Sequence, residues 1–420
     1  MRVLFLLAFS QLYAQPVERQ VNLDSFEKVW TTIRDKHWEK KPAGLDWDAI
    51  HAEFRPKIEN AKNTDEVRGL LTEMLGRLHQ THFAILPTHI YQAIGDTEDG
   101  DGSPGDGSPG IDLRVLSGQV VVTGVDPGSP AEHAGVKPGW AIVSAKGHDL
   151  TSGLRELTAD PAIPELVIMR AMLARLSGPV GGKTKVTFLD GAGKTVALEL
   201  DLAEPRGPVS RFGNLPDTHV WFESKRLGDA EYVHFNMFLD LPRVMENYGK
   251  AVADCGKCGG FIIDLRGNPG GIGGMAMGMA GYLVNKQGMR LGSMFTRDAT
   301  LNFVINPRLG AYTGPVAILV DAESASTSEI FAGGLKDLGR ARVFGTRTAA
   351  AALPSVIERL PNGDGFQYAI ANYISEGGKP LEGIGVQPDE EIKLTREALL
   401  AGHDPVLDAA LEWTKKQRTP

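Results

Sequence analysis

Only two cysteines occur in 420 residues, Cys255 and Cys258, and they share the run CGKC. Two sulfurs alone do not complete a zinc site. They would form a local disulfide in an exported chain, a redox-active pair, or a turn whose cysteines carry no chemistry. Basic charge is also scarce: 44 Lys and Arg against 52 Asp and Glu give a formal net charge of −8 and a pI near 5.7. A nucleic-acid binder needs a basic face, so that class of partner is excluded. Beyond the first fifteen residues no apolar run reaches the ~20 residues of a membrane span. No serine lies in G-x-S-x-G, which argues against an α/β-hydrolase. His79, His82 and His89 lie close together, but no H-E-x-x-H surrounds them and no carboxylate ligand is placed nearby, so no metal is expected.

An ordinary 42% of apolar residues and a length of 420 suit a globular protein of two or three domains. The opening, MRVLFLLAFSQLYAQ, combines Arg2, a short apolar stretch and a small residue at Ala14. It predicts a secretory signal over 1–14, cut near Ala14–Gln15, and a chain that is soluble once exported. Residues 20–95 read as a helical region, with Asp24 or Ser25 capping Phe26–Trp38 and the NTDEV run at 63–67 capping a second helix to about Leu78. The repeat DGDGSPGDGSPG lacks any apolar residue and predicts a solvated linker over 96–109. Short alternating runs at Gln119–Val122, Ala141–Ala145, Thr184–Phe188 and Val196–Leu200, punctuated by turns, predict a small β-rich module over 110–205. From 215 to 415 strand and helix alternate, predicting βα units on a partly parallel sheet.

In that last region DAESASTSEI (321–330) places Ser324, Ser326, Thr327 and Ser328 directly after the apolar run Val316–Val320. Hydroxyls at a strand–helix junction serve as N-caps, or one of them is a nucleophile near the positive end of a helix dipole. The turn DLRGNPGGIGG (264–274) also follows a strand. Gly271-Ile-Gly273-x-x-Ala276 imitates a dinucleotide fingerprint, but no acidic residue follows at the required distance. Bare N–H groups aimed at developing negative charge suit the glycines better. His234, within Tyr-Val-His-Phe, reads as a structural residue of an apolar strand.

Residues 110–147 resemble a PDZ domain through Gly110-Ile111, Gly-Ser-Pro-Ala at 128–131, Ala134-Gly135 and Pro138-Gly139. The resemblance implies that backbone groups of Gly110, Ile111, Asp112 and Leu113 receive a peptide C-terminus by strand addition. Trp140 stands where such modules usually carry an acidic residue. Leu-Arg-Gly-Asn-Pro-Gly-Gly, Ser-Ala-Ser-Thr-Ser-Glu and Gly-Ile-Gly-Val-Gln-Pro-Asp (383–389) occur in the same order in tail-specific (C-terminal processing) serine proteases. That family implies an α/β fold with a ClpP/crotonase-like βα core, a helical N-terminal region and an inserted PDZ-like domain. It also implies Ser326 as nucleophile, with an oxyanion hole from Thr327 and Gly270 or Gly271. Much of the family takes a lysine as base, and Ala351 occupies its place here. The helix ending Thr81-His82, with Gly44-Leu-Asp-Trp47 and Phe54-Arg-Pro56, is similar to the tricorn-type branch, which uses histidine. That branch implies His82 as base, Thr81 as its orienter and Glu382 as a distal carboxylate. The expectation is an exported serine endopeptidase acting on polypeptides without a cofactor, in a monomer or a homo-oligomer. An amidase or esterase acting on small substrates would suit the same nucleophile. Its rival from another class is an inactive, peptide-binding homologue.

Overall fold

A computed structural model describes residues 4–87, 107–159, 165–212 and 217–417, with side chains from Glu18 onward except at 153, 156, 157 and 159. Helix α1 (Leu4–Lys36) runs unbroken through the expected cleavage point at Ala14–Gln15. It also passes straight through Asp24 and Ser25, so neither caps it. The Ser25 hydroxyl donates back to the Val21 carbonyl at 2.7 Å, a bond available inside a helix. Helices α2 (Trp47–Glu59) and α3 (Thr64–Gly76) do begin on side-chain caps. Asp46 accepts from the Ala49 N–H and Asn63 from the Glu66 N–H. The three helices bury Phe26, Val29, Phe54, Leu71 and Met74 between them. After α3 comes the short strand β1 (Ala84–Leu86). Of the region expected to continue to residue 95, residues 88–95 lie outside the described residues, as does His89. So does the expected linker as far as residue 106.

Gly107 and Ser108 already pair with Gly178 and Ala203, so they belong to the β-module that follows. Its antiparallel sheet runs β2 (Ile111–Leu116), β3 (Gln119–Val125), β4 (Ala141–Ala145), β5 (Lys183–Leu189) and β6 (Thr195–Asp201) in spatial order. The long stretch from 151 to 180 forms helices α4 (Leu150–Ala159) and α5 (Glu165–Leu176), whose apolar face closes the module's core through Ile168, Met169 and Met172. β2 lies at the open edge of this sheet.

The remaining chain builds a mixed α/β layer. β7 (Phe222–Leu227) and β8 (Ala230–Phe235) pair antiparallel. Helix α6 (Leu241–Cys255) leads to β9 (Gly260–Asp264), and helix α7 (Gly273–Ala280) to the antiparallel pair β10 (Arg290–Phe295) and β11 (Thr300–Val304). Then come β12 (Val316–Val320), helix α8 (Thr327–Asp337) and β13 (Arg342–Gly345). β8, β9, β12 and β13 run parallel. All five residues of both β9 and β12 are buried, as expected when helices cover both faces of a parallel sheet. Cys255 and Cys258 form a disulfide at the end of α6, beside the start of β9 and remote from the carboxyl ends of the strands.

The N-terminal helices do not stand apart from this layer. The hairpin β14 (Ser355–Arg359) and β15 (Gly365–Ala369) takes β1 as its third strand, and Leu360, Phe366 and Tyr368 enter the helical core. Fully buried Asp364 receives two charge-assisted bonds from Arg68 of α3, both 2.9 Å. The turn between β10 and β11 reaches the other way: Arg297 donates to the carbonyls of Arg34, His37 and Glu39 at the end of α1.

Two anchors hold the β-module on the layer. At one, Arg114 of β2 donates to Asp321 at 2.7 Å and lies 3.2 Å from Glu323, both just upstream of the hydroxyl cluster. At the other, Arg396 of helix α9 (Arg396–Leu400) donates to the carbonyls of Gly139, Leu189 and Asp190. Leu400 fills a notch that only glycine permits, since a Cβ on Gly139 would lie 2.7 Å from its Cγ. Helix α10 (Pro405–Lys416) covers the sheet's outer face. Among the described residues no helix is long and apolar enough to cross a membrane.

Candidate active site

The four hydroxyls at the β12–α8 junction separate by what each is bonded to. Ser324 donates to the Leu265 carbonyl at 2.7 Å, Thr327 to Gly271 at 2.8 Å and Ser328 to Asn268 at 2.9 Å. These three fasten the junction to the DLRGNPGG turn. Ser326 is different. It stands at the N-cap position yet makes no side-chain cap bond, because the Glu329 N–H goes to its carbonyl instead. Its backbone holds a left-handed φ of 54° with ψ −116°. Such a conformation costs a non-glycine residue roughly 1–3 kcal/mol and persists only where the surroundings enforce it. The enforcement is visible: the Ser326 N–H donates to the Ala351 carbonyl at 2.8 Å and to Glu329 at 3.0 Å.

Glu329, fully buried, accepts four bonds, from the N–H groups of Ser326, Ala350 and Ala351 and from the Thr348 hydroxyl at 2.6 Å. Burial pushes its carboxyl up to about 7 against those donors. Asn268, equally buried, braces the other side. It donates to the Phe235 carbonyl, and its side-chain oxygen accepts from the Gly270 N–H at 2.9 Å. Neither residue was singled out in the sequence, although Ser326-x-x-Glu329 matches the spacing at which a glutamate reaches back to a helix N-terminus.

The same bond corrects the expected oxyanion hole. With its N–H committed to Asn268, Gly270 is not the donor. Among the described residues the N–H groups of Gly271 and Thr327 have no acceptor, and they flank Ser326 at the positive end of α8. Gly270 matters for room: at φ +96°, a Cβ there would lie 2.7 Å from the Thr327 nitrogen and 2.8 Å from the Ser326 Cβ. The fingerprint reading of Gly271 and Gly273 has no support, since the Gly271 carbonyl is held by Thr327 and a Cβ at Gly271 would meet the Phe238 carbonyl.

Thr81 and His82 follow α3 in a tight turn where His79 and His82 both have positive φ, 51° and 62°. One oxygen of Glu382 accepts from the Thr81 N–H at 2.8 Å. The other accepts from the Thr81 hydroxyl at 3.0 Å and the Ala352 N–H at 3.1 Å. Since the hydroxyl proton goes to Glu382, its oxygen accepts from His82 Nδ1 at 2.7 Å. The proton therefore sits on Nδ1, and Nε2 is left as the basic nitrogen. Burial pushes the His82 imidazole down to about 4, with Arg170 of α5 adding to the effect. Burial also raises the Glu382 carboxyl, opposed by its three donors. The segment Ala350–Ala352 joins both halves, since Ala351 accepts from Ser326 and Ala352 donates to Glu382. Ser326 and His82 make no direct hydrogen bond. Among the described residues no three acidic, histidine or cysteine side chains converge as metal ligands. His234 lies on β8 with its ring edge-on to Trp221, away from this constellation.

The expected peptide-binding residues lie along the module's free edge, partly occupied. The Gly110 N–H donates to Ser108 Oγ at 3.0 Å, and Arg114 donates to the Leu113 carbonyl and to Asp112, each at 2.7 Å. Ile111 is buried within β2. Between β2 and the hydroxyl junction opens a cavity of about 480 Å³, bounded by Arg114, Glu165, Asp321, Glu323 and Arg347. Burial and nearby Asp321 push Glu323 up to about 8 despite Arg114, and one of its oxygens has no hydrogen-bond partner.

A mixed α/β layer presenting a strained serine under free N–H groups defines a serine-type hydrolase, and the chain carries a peptidase S41 domain. The family model, Peptidase family S41, matches residues 229–392, and the Tricorn protease C1 domain matches residues 20–76. The chain is 27% identical over 341 residues to a carboxyl-terminal-processing protease of Synechocystis, covering 79% of this chain and 72% of that one. It is 25% identical over 401 residues to the chloroplastic carboxyl-terminal-processing peptidase 3 of Arabidopsis thaliana, covering 91% and 72%. Among solved structures, the photosystem II D1 C-terminal processing protease superposes with a TM-score of 0.58 at 20% identity, over 93% of this chain and 96% of that one. Mature CPAF gives 0.60 at 15% identity, over 94% and 96%.

Proposed function

We propose that this peptidase is an exported endopeptidase cutting polypeptides through an acyl-enzyme at Ser326, with His82 as base. The observation that carries the reading is that Ser326 alone of four clustered hydroxyls keeps its proton free, while the segment Ala350–Ala352 ties its backbone to the Glu382 that sets the tautomer of His82 through Thr81. In the first step Ser326 Oγ attacks the scissile carbonyl carbon while its proton passes to His82 Nε2. The electron pair displaced onto the carbonyl oxygen is stabilised by the N–H groups of Thr327 and Gly271. His82 then returns the proton to the leaving amine as the C–N bond breaks. A water, deprotonated by the same nitrogen, releases the new carboxylate and restores the serine. Thr81, backed by Glu382, keeps Nδ1 protonated throughout, a role the triad carboxylate fills directly elsewhere.

The core is read as ClpP/crotonase-like and the β-module as PDZ-like, placing polypeptide along edge β2 near Gly110–Leu113 and onward through the 480 Å³ cavity. Export is supported by the N-terminal sequence and by the Cys255–Cys258 disulfide, which suits an oxidising compartment. A fluorophosphonate probe tests the chemistry: wild type is labelled, while Ser326→Ala is not and His82→Ala is labelled at least about a hundredfold more slowly. Normal labelling of His82→Ala would overturn the choice of base.

A further inference from the structure

The turn carrying His82 is fixed by Glu382 on one side, but a second group holds it from the other. His37, in the segment leaving α1, is completely buried. Its Nδ1 accepts from the Glu39 N–H at 3.0 Å, so its proton is on Nε2. That Nε2–H points at the Gln80 side-chain oxygen, 3.0 Å away. Gln80 immediately precedes Thr81 and His82. The imidazole is stacked on Trp38 with centroids 3.9 Å apart, and Phe83, the residue after His82, stacks near it at 5.9 Å. Arg297 fastens the same place from the core, donating to the His37 carbonyl at 2.9 Å.

Resting on the reading of His82 as base, we propose that His37 is a positioning residue for catalysis, a neutral strut that sets the His82 turn through Gln80. The geometry separates the two supports. Glu382 determines which His82 nitrogen carries the proton, whereas His37 determines where the ring stands, by gripping the residues before and after it. A turn with two left-handed residues is not held by local preference. Without the strut it relaxes, and the ring swings toward solvent. Displacements of about 1 Å at a reacting group cost on the order of a hundredfold in rate. Burial lowers the affinity of His37 for a second proton, so it stays neutral with Glu39 and Arg297 as its charged neighbours.

Gln80 is partly exposed, so its variants test the strut without threatening the buried aromatic stack. Gln80→Leu removes the acceptor and should slow fluorophosphonate labelling and kcat by at least about tenfold with KM little changed. Gln80→Glu keeps an acceptor for Nε2–H and should stay within about threefold of wild type at pH 8. In Gln80→Leu the acid limb of kcat/KM should also move up, toward the 6.5 of a solvent histidine, as the ring loses its burial. His37→Phe keeps the stack and loses both hydrogen bonds; combined with Gln80→Leu it should be no slower than the slower single variant. Wild-type labelling and an unmoved limb in Gln80→Leu would overturn the strut. His82→Ala, run alongside, distinguishes that outcome from failure of the histidine-base reading itself.

Discussion

Replacing Glu382 by glutamine should disable the site while leaving the fold intact, and the hydrogen bonds say by how much. The carboxylate accepts three bonds, one from the Thr81 N–H and two, from the Thr81 hydroxyl and Ala352 N–H, on its other oxygen. A glutamine has a single acceptor oxygen. If that oxygen faces the Thr81 N–H, the new NH2 donates to the Thr81 hydroxyl, whose own proton then turns to His82 Nδ1. The imidazole responds by carrying its proton on Nε2, where it cannot accept one from Ser326. If the amide is reversed, an N–H opposes the Thr81 N–H and the turn is pushed away. A wrong tautomer costs about 10⁴ in a directly bonded triad. With a threonine intervening, about 10² to 10³ is expected here, or roughly 2.7–4 kcal/mol in the barrier. The assay is the second-order rate of fluorophosphonate labelling at pH 7, with thermal unfolding measured in parallel. Labelling within threefold of wild type, in a folded variant, would refute the relay.

Gly270→Ala should lower labelling by about a hundredfold or more and destabilise the fold, because its Cβ would press on Ser326 and Thr327 at a φ of +96°; near-normal rates would show that the turn can yield. The pKa of His82, pushed down to about 4, keeps the base neutral below pH 6.5, so the acid limb of kcat/KM should lie under that value. Because protonation is disfavoured only in the folded protein, His82 should also cost stability progressively as pH falls from 6.5 toward 4, which His82→Gln removes in pH-dependent unfolding. Glu323, raised to about 8, has the opposite sign: the unfolded chain releases its proton from about pH 4.5 upward, so Glu323→Gln should flatten the decline in melting temperature between pH 5 and 8. Reducing the Cys255–Cys258 disulfide should remove about 2 kcal/mol or less, given so short a loop, and leave the labelling rate unchanged.

The strands and helices with a strong period were legible: Val316–Val320 and Ala141–Ala145 fall where apolar patterning puts them, and Asn63 caps its helix. Asp24 and Ser25 misled because a good capping residue also tolerates a helix interior when its hydroxyl bonds back to a carbonyl. Within the site, Ser326, Thr81, His82 and Glu382 were named through a family resemblance, whereas residues outside those motifs that act through a non-local bond were not. Gly270 and Gly271 look alike in sequence. Only the side chain of Asn268 decides which N–H remains free. Likewise nothing local marks His37 or Arg114, whose partners lie far along the chain.

The bidentate grip of Arg68 on buried Asp364 welds the first helices to a hairpin that follows Ser326 in sequence. In the proposed mechanism His82 precedes the β-module and Ser326 follows it, so neither stretch would be an enzyme by itself. On that mechanism a chain emerging from synthesis holds its serine and histidine unacquainted until that last piece of scaffold has closed, and proteolytic power arrives only with the finished molecule.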